Sequence, residues 1–495
     1  MTATASTTQA TTSPDAQLLI AGQWTDAENG RTTVVSSPLG KEYETQVAAA
    51  SVGDAIRAVE AARDAARTWG TWSPARRREV LQAAAGLIRE RADEISAVMT
   101  QEMGATAAWA GFNAHVAEGM LAEAAAQTYS TVGEVIPSDV PGLTALGVRQ
   151  PAGVVLGIAP WNAPLILGVR AVAMPLAFGN TVVLKASEQA PLTQAAIVAA
   201  LHDAGLPAGA VNLITNAPED AADIVAGVIA HPAVTRVNFT GSTRVGRIIA
   251  EQAGRHLTRV LLELGGKAPL LVLADADLDA AVDAACFGAF MNQGQICMST
   301  ERIIVDRSIA EEFSNRLAER AAALVVGDPR DPKTQIGPLV NEAGVKQVKA
   351  LVEDAVAAGA QRLAGGDPDG LYFPPTVLRG ITPAMRIYAE ESFGPVASIV
   401  EVDGTEEAIA VANDTEYGLS AAVFSSDAAG ALQIAQRIHS GSCHVNGATV
   451  HDEPQMPFGG VGASGWGRFG SRASLEEFTE LRWLTVQSGA RHYPI

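Results

Sequence analysis

A thiol, a carboxylate and a side-chain amide, each in unusual surroundings, are the residues of this chain best suited to making and breaking bonds at a carbonyl carbon. Cys297 closes the run Asn292-Gln293-Gly294-Gln295-Ile296-Cys297. A thiolate is a strong nucleophile, and amides flanking a glycine turn can supply donors near a developing oxyanion. Taken alone, Cys297 reads first as a small buried hydrophobe, and Cys286, among alanines, does so more strongly. Glu263 stands among leucines in Leu261-Leu262-Glu263-Leu264-Gly265-Gly266-Lys267. Burial raises the pKa of such a carboxyl, which is what a general base for water or thiol needs, although Glu263 can equally cap a helix or pair with Lys267. Asn162, in Pro160-Trp161-Asn162, follows an apolar run and can present its NH2 to a reactive oxygen while Trp161 walls a pocket; a plain Asn turn with a core Trp fits as well.

Those residues need elements to place them. Ile56, Val59, Ala62, Ala66 and Trp69 recur at helical spacing, as do Leu81, Ala84, Leu87, Ile88 and Ile95, so the first quarter is expected to be mostly helical. Beyond the Gly/Pro-rich stretch 133–142 the pattern changes to short apolar runs at 153–158, 181–184, 211–214, 236–239 and 269–273, separated by helical stretches. This is the signature of parallel strands with crossover helices. A second such unit begins near Lys267, with helices predicted over 278–290, 308–326 and 341–358 and a strand over 303–305. Surface loops are expected at 327–336 and 365–375. The run 151–169 is long and apolar, but Pro160, Asn162 and Pro164 make it a strand plus turn rather than a membrane span.

An anion site is suggested by Phe239-Thr240-Gly241-Ser242-Thr243-Arg244-Val245-Gly246, a strand end running into a turn and a helix start with free amides. Lys185 and Glu188, just past the run 181–184, can hold a ribose diol or pair with each other on the surface. The GxGxxG match Gly460 to Gly465 comes late and GxxxxGK[ST] is absent, so neither a Rossmann fingerprint nor a nucleotide hydrolase can be read directly.

Composition narrows the class. The 495 residues allow about three domains. With 48% hydrophobic and 18% charged residues the chain is globular rather than disordered, and the scattered 47 Gly and 25 Pro exclude a collagen-like repeat. A formal net charge of −19 argues against nucleic acid and polybasic membrane binding. Three widely spaced cysteines exclude a disulfide framework or CxxC metal site and point to a reducing, cytoplasmic setting. Residues 1–14 lack a basic n-region and an apolar h-region, and are expected to be a disordered leader.

The motifs together resemble the NAD(P)-dependent aldehyde dehydrogenases. Pro160-Trp161-Asn162, Phe239-Thr240-Gly241-Ser242, Glu263-Leu264-Gly265-Gly266-Lys267, Gly294-Gln295-Ile296-Cys297, Glu391-Ser392-Phe393-Gly394-Pro395 and Pro457-Phe458-Gly459-Gly460 occur in family order along nearly the whole chain. The resemblance implies an α/β fold: a parallel-sheet cofactor domain (15–136 and 157–265), an α/β catalytic domain (266–473) and a small β bridging or oligomerisation element (137–156 and 474–495). It makes Cys297 the nucleophile, Glu263 the general base, and Asn162 with the Cys297 backbone amide the oxyanion hole, so that the acid forms through a thiohemiacetal and a thioester. It puts Lys185 and Glu188 on the adenosine ribose, Ser242 near the pyrophosphate with Gly241 and Gly246 shaping the turn, and Glu391 and Phe393 at the nicotinamide ribose and ring, with Trp161 also among the cofactor contacts. NAD is favoured by Glu188, with NADP an alternative; no metal is implied, and the partners are a small aldehyde and further copies of the chain, as homodimer or homotetramer. The chain departs from the family pattern at Gly462 and Phe469, where members commonly carry Lys and Glu.

Within the family, the strings around Asn162 and Cys297 and the ending Arg491-His492-Tyr493-Pro494-Ile495 are most similar to the vanillin, benzaldehyde and salicylaldehyde dehydrogenase branch, which implies aromatic substrates and a place in aromatic hydrocarbon catabolism. Trp161, Ile166, Met298 and Trp466 are then candidates to line a slot for a ring. Arg170 either meets a phenolic or carboxylate substituent or forms a salt bridge. The rival readings are a semialdehyde or coenzyme-A-acylating enzyme and a non-catalytic structural relative.

Overall fold

The computed structural model describes residues 16–495; the leader expected over 1–14 lies outside the described residues. Two parallel-sheet units and a small antiparallel element make up the architecture, as expected. The first sheet has eight strands in the order Gly465–Trp466, Arg259–Glu263, Val234–Thr240, Val154–Ile158, Thr181–Lys185, Val211–Ile214, Leu18–Ile20 and Gln23–Thr25. Its five central strands are parallel and its edges antiparallel. The second sheet has seven, in the order Gln361–Ala364, Thr376–Arg379, Val396–Val402, Thr300–Asp306, Ala268–Val272, Ser420–Phe424 and Ser442–Val445. Only its first pair is antiparallel.

Strands such as Val154–Ile158, Thr181–Lys185, Ala268–Val272 and Ser420–Phe424 are buried at every position. Helices cover both faces of a parallel sheet, so the sequence shows continuous apolar runs instead of alternation. Local signals set the helix starts. Ser51 and Asp54 form a reciprocal capping box on helix Val52–Trp69, and Pro164 opens the fully buried helix Pro164–Ala177. Ser242 caps helix Thr243–Arg255 by accepting from the Val245 amide at 3.4 Å. That helix lies so close to the neighbouring strand that a Cβ on Gly246 would stand 2.5 Å from a methyl of Leu264.

Helix and strand bounds follow the sequence pattern with small shifts: the helix predicted over 308–326 occupies Ala310–Ala322, and that over 341–358 occupies Glu342–Ala357 with Asn341 as its cap. The early strands 18–20, 23–25, 32–35 and 45–48 precede the helical quarter and carry no strong pattern, being three or four residues long and partly exposed.

The third sheet is antiparallel, with Thr479–Gln487 paired along Leu143–Pro151 and the latter against Glu134–Ile136. Three boundaries differ from the expected division. Glu134–Ile136 belongs to this bridging sheet, not to a unit ending at 136. Val154–Ile158 lies whole in the eight-stranded sheet, because it pairs on both sides with parallel strands there, and is not split at 156. Gly465–Trp466, expected within 266–473, closes an edge of the first sheet by pairing with Leu262 and Glu263.

Candidate active site

Cys297 sits beyond a backbone that only a strongly held loop can keep. Asn292, Gln293 and Gly294 all adopt positive φ, at 50°, 58° and 71°. Left-handed non-glycine residues cost on the order of 1–3 kcal/mol each unless their surroundings fix them. The amide side chains do so. Asn292 Nδ2 donates to the Asn162 carbonyl at 3.0 Å, Gln293 Nε2 to the Pro338 carbonyl at 3.0 Å, and Gln295 Oε1 accepts from the Val340 amide at 3.1 Å. Gly294 is needed for space as well as for φ, since a Cβ there would lie 2.1 Å from the Gly394 carbonyl oxygen.

Glu263 is the last residue of strand Arg259–Glu263, fully buried, and neither carboxylate oxygen has a hydrogen-bond partner among the described residues. Burial pushes its pKa up to about 7, with Arg170 pulling it down and Asp452 pushing it up. Cys297 and Thr240 lie beside it. Burial, and then the neighbouring Glu263 carboxylate, raise the Cys297 thiol well above its ordinary range. An unpaired buried carboxylate next to a thiol is a proton acceptor poised near neutrality.

Asn162 stands in the turn between strand Val154–Ile158 and helix Pro164–Ala177. Its Nδ2 donates to the Gln295 carbonyl at 2.9 Å, which uses one proton and leaves the second. Its carbonyl accepts from the Trp109 indole at 2.9 Å as well as from Asn292, so Asn162 and the Cys297 loop are locked to each other. Ile166 and Met298 are buried in one apolar cluster with Trp109, Met120, Met174, Phe458 and Phe469, and Trp161, Phe112 and Cys297 pack against it. Arg170 forms a buried ion pair with Asp452, their side chains 5% and 7% exposed. Its guanidinium lies 4.3 Å from the Phe458 ring centre and 5.1 Å from that of Phe469, and its Nε has no partner among the described residues. These groups border a narrow cleft of about 20 Å³ with Met120, Met174 and Met456. Phe469, where the family pattern has a charge, thus supplies an aromatic face to Arg170.

On the other side, Trp161 meets Phe393 edge to face at 5.8 Å, and Glu391 accepts from the Gly266 amide at 3.0 Å. Burial raises Glu391 to about 8, with Glu301 adding to the rise. At the carboxyl ends of strands Thr181–Lys185 and Val211–Ile214, Lys185 pairs with Glu188, and Asn216 Nδ2 donates to Glu188 at 3.1 Å. Burial pushes Glu188 up, but the Lys185 charge and hydrogen bonds outweigh it and hold it below the usual range.

The sequence profile of the aldehyde dehydrogenase family matches residues 24–484. The chain belongs to the aldehyde dehydrogenase family. It is 57% identical over 478 residues to a vanillin dehydrogenase of a Pseudomonas species, covering 97% of this chain and 99% of that protein. The crystal structure of a salicylaldehyde dehydrogenase from Pseudomonas putida, complexed with salicylaldehyde, matches with TM-score 0.95 at 44% identity over 97% of this chain and 99% of that one. A betaine aldehyde dehydrogenase from Staphylococcus aureus in complex with NAD+ matches with TM-score 0.93 at 31% identity, over 97% and 96%.

As an aldehyde dehydrogenase the chain is an NAD(P)-dependent oxidoreductase acting on aldehydes. The residues present fit that cofactor. Among the described residues Asn216 Oδ1 is buried without a partner beside Lys185 and Glu188, a spare acceptor at the strand ends where a dinucleotide binds in an open α/β sheet. Gly241, whose amide donates to the Glu263 carbonyl at 3.0 Å, and Ser242 lead into the amino end of helix Thr243–Arg255.

One expected pocket residue is elsewhere. Trp466 is 52% exposed and its indole donates to the Val260 carbonyl at 3.0 Å, in a surface depression with Thr243, Arg247 and Glu416. Pairing of Gly465–Trp466 with Leu262–Glu263 puts Gly465 opposite Glu263 and carries the ring to the outside of the sheet edge, so Trp466 is not in the slot with Ile166 and Met298. Sequence reading missed Trp109 and Asp452: each acts through a partner 53 or 282 residues away, and neither stands out in its own stretch.

Proposed function

We propose that this aldehyde dehydrogenase oxidises an aromatic aldehyde of the benzaldehyde, salicylaldehyde or vanillin type to its carboxylic acid, with NAD. The observation that carries the reading is the apolar cluster against which Cys297 packs, in which the cation Arg170 is already neutralised by Asp452 and flanked by two phenylalanines. A ring can be buried there without a charged partner, whereas the carboxylate of a semialdehyde would compete with Asp452. The names of the relatives point the same way.

In this reading Glu263 takes the thiol proton and the Cys297 sulfur adds to the aldehyde carbon. The oxyanion is held by the spare Nδ2 proton of Asn162 and the Cys297 amide. Bound NAD supplies the hydride acceptor. As hydride leaves the thiohemiacetal carbon, the oxygen lone pair closes to the thioester carbonyl. Glu263 gives the thiol proton up to solvent and, ionised again, takes a proton from water; the hydroxide adds to the thioester, and the Cys297 thiolate leaves as the acid forms and recovers a proton from Glu263. Glu188 favours NAD, because its carboxylate would repel a 2′-phosphate. The small aldehyde is the expected partner, together with a second or further copies of the chain. Three unpaired cysteines support a reducing, cytoplasmic setting.

Reduced-cofactor absorbance across benzaldehyde, salicylaldehyde, vanillin, short aliphatic aldehydes and succinic semialdehyde, with NAD and NADP in turn, tests this. Aromatic substrates with NAD are expected to have the highest kcat/KM. An aliphatic or dicarboxylic aldehyde ahead by more than about tenfold, roughly 1.4 kcal/mol, overturns the assignment. Acyl-coenzyme A as product would establish the acylating rival, and undiminished turnover in Cys297→Ala would remove the mechanism.

A further inference from the structure

Four residues beyond Cys297, Glu301 is a buried carboxylate for which the chemistry above has no use. Its oxygens gather donors from two separate loops. Oε1 accepts from the Ser392 amide at 3.0 Å, the Ser392 hydroxyl at 3.0 Å and the Phe393 amide at 3.1 Å. Oε2 accepts from Lys267 Nζ at 2.8 Å, and both side chains of that ion pair are almost wholly buried. Lys267 in turn follows Gly266, whose amide holds Glu391. One carboxylate therefore ties the segment after Glu263 and the segment Glu391–Phe393 to the strand that begins just past the nucleophile.

The segment it holds needs holding. Phe393 is a bulky residue at φ 48°, in the left-handed region that such side chains rarely occupy, and its own amide is one of the donors to Glu301. Its ring meets Trp161 by an edge contact. Glu391, one residue before Ser392, is buried beside the Glu301 charge, which helps to keep it protonated and able to donate. A neutral side chain at 301 would leave the Lys267 ammonium buried without its counter-charge and Phe393 free to relax to negative φ.

We propose that Glu301 is a positioning residue for hydride transfer: it fixes Glu391 and Phe393 where they meet the nicotinamide end of the cofactor, and fixes that surface relative to Cys297. This rests on the reading of Glu391 and Phe393 as nicotinamide contacts. Hydride transfer tolerates little misplacement, so loosening the segment should slow the reaction without touching the thiol.

The test uses the full-length enzyme with Glu301→Gln and, because that variant leaves a buried lysine exposed to loss of fold, Ser392→Ala, which keeps the Lys267 pair and removes one hydrogen bond. Four quantities are read: NADH binding by fluorescence, KM for NAD against KM for aldehyde, the rate with aldehyde deuterated at the carbonyl carbon, and the rate of Cys297 alkylation by iodoacetamide without cofactor. For Glu301→Gln the expectation is weaker NADH binding, a raised KM for NAD, hydride transfer slowed by roughly 10²-fold and visible as an isotope effect on kcat, with aldehyde KM and alkylation within about twofold. Ser392→Ala should move the same quantities by about fivefold. Unchanged NADH binding and isotope effect in both variants overturn the proposal, as does a loss confined to Cys297 alkylation, which would make Glu301 a support of the nucleophile loop alone. Phe393→Ala and Glu391→Ala separate the two claims. If these bind NADH like the wild type, the assignment of the nicotinamide contacts fails and the proposal with it; if they weaken binding and the Glu301 and Ser392 variants do not, only the proposal fails.

Discussion

Glu263 shows how one residue's surroundings set both its chemistry and its cost. Its burial, against the pull of Arg170, lifts the carboxyl from 4.5 to about 7. The base form therefore fills as the pH passes 7, and thioester hydrolysis is expected to rise through that pH and level above it, read from stopped-flow NADH release. Glu263→Gln should still acylate where thiolate is available, giving a burst of NADH and then a turnover slowed by 10²-fold or more, roughly what a general base contributes. The sign for stability is opposite. The neutral acid is the favoured buried form, so this site supports the fold below pH about 4.5, and that support is lost as the pH rises through about 7. Glu263→Gln is accordingly expected to melt above the wild type at pH 8 and close to it at pH 5. A variant that melts lower at pH 8 would show that the carboxylate is paired after all. Glu263 and Asn162 stand out as candidates in the sequence because a polar group among leucines or after a buried strand is conspicuous, and Cys297 because of the amides and glycine before it. Asp452 and Trp109 do not, because what they do depends on a partner that only the fold brings near.

At the scale of elements, the site is a junction of strand ends and one strained loop. Strands Arg259–Glu263 and Val154–Ile158 of the first sheet deliver Glu263 and the turn bearing Asn162, while strand Thr300–Asp306 of the second leads away from Cys297. The left-handed run Asn292–Gly294 links the two units, the amides of Asn292 and Gln293 anchoring to Asn162 and Pro338 and that of the following Gln295 to Val340. Gly294→Ala tests that junction, since the new methyl meets the Gly394 carbonyl in a backbone region alanine avoids. It is expected to lower the unfolding free energy by about 2 kcal/mol or more and to cut kcat by at least about tenfold, followed by chemical denaturation and steady-state rates. Normal stability and rate together would mean that the loop has another low-energy path. The long buried strands and the helices with capping residues were readable from the sequence, since apolar runs and capping residues are local signals. The two-residue strand Gly465–Trp466 was not: nothing local announces a strand that short, and the placing of Trp466 in the pocket failed with it.

For the whole molecule, the third sheet is the feature that a single chain leaves unfinished. It has three strands, and its outer strand Thr479–Gln487 is nine residues long with one edge unpaired among the described residues. Leu481, Trp483 and Val486 on that strand are 58%, 72% and 61% exposed, and Val135 on the opposite edge strand is also exposed. A long open edge with a large tryptophan on it is a template for association unless something covers it, and a second copy of the chain is the covering that the family resemblance implies. The net charge of −19 opposes self-association, so the contact must be local and apolar enough to overcome repulsion that salt would screen. Sedimentation or light scattering at micromolar concentration is expected to give a dimer or tetramer in low and moderate salt, and Leu481→Asp with Trp483→Asp to give smaller species with an unchanged far-ultraviolet spectrum. A wild-type monomer would overturn this, and so would a double variant that keeps the full assembly, since charges placed on the interface must weaken it if the strand is where copies meet.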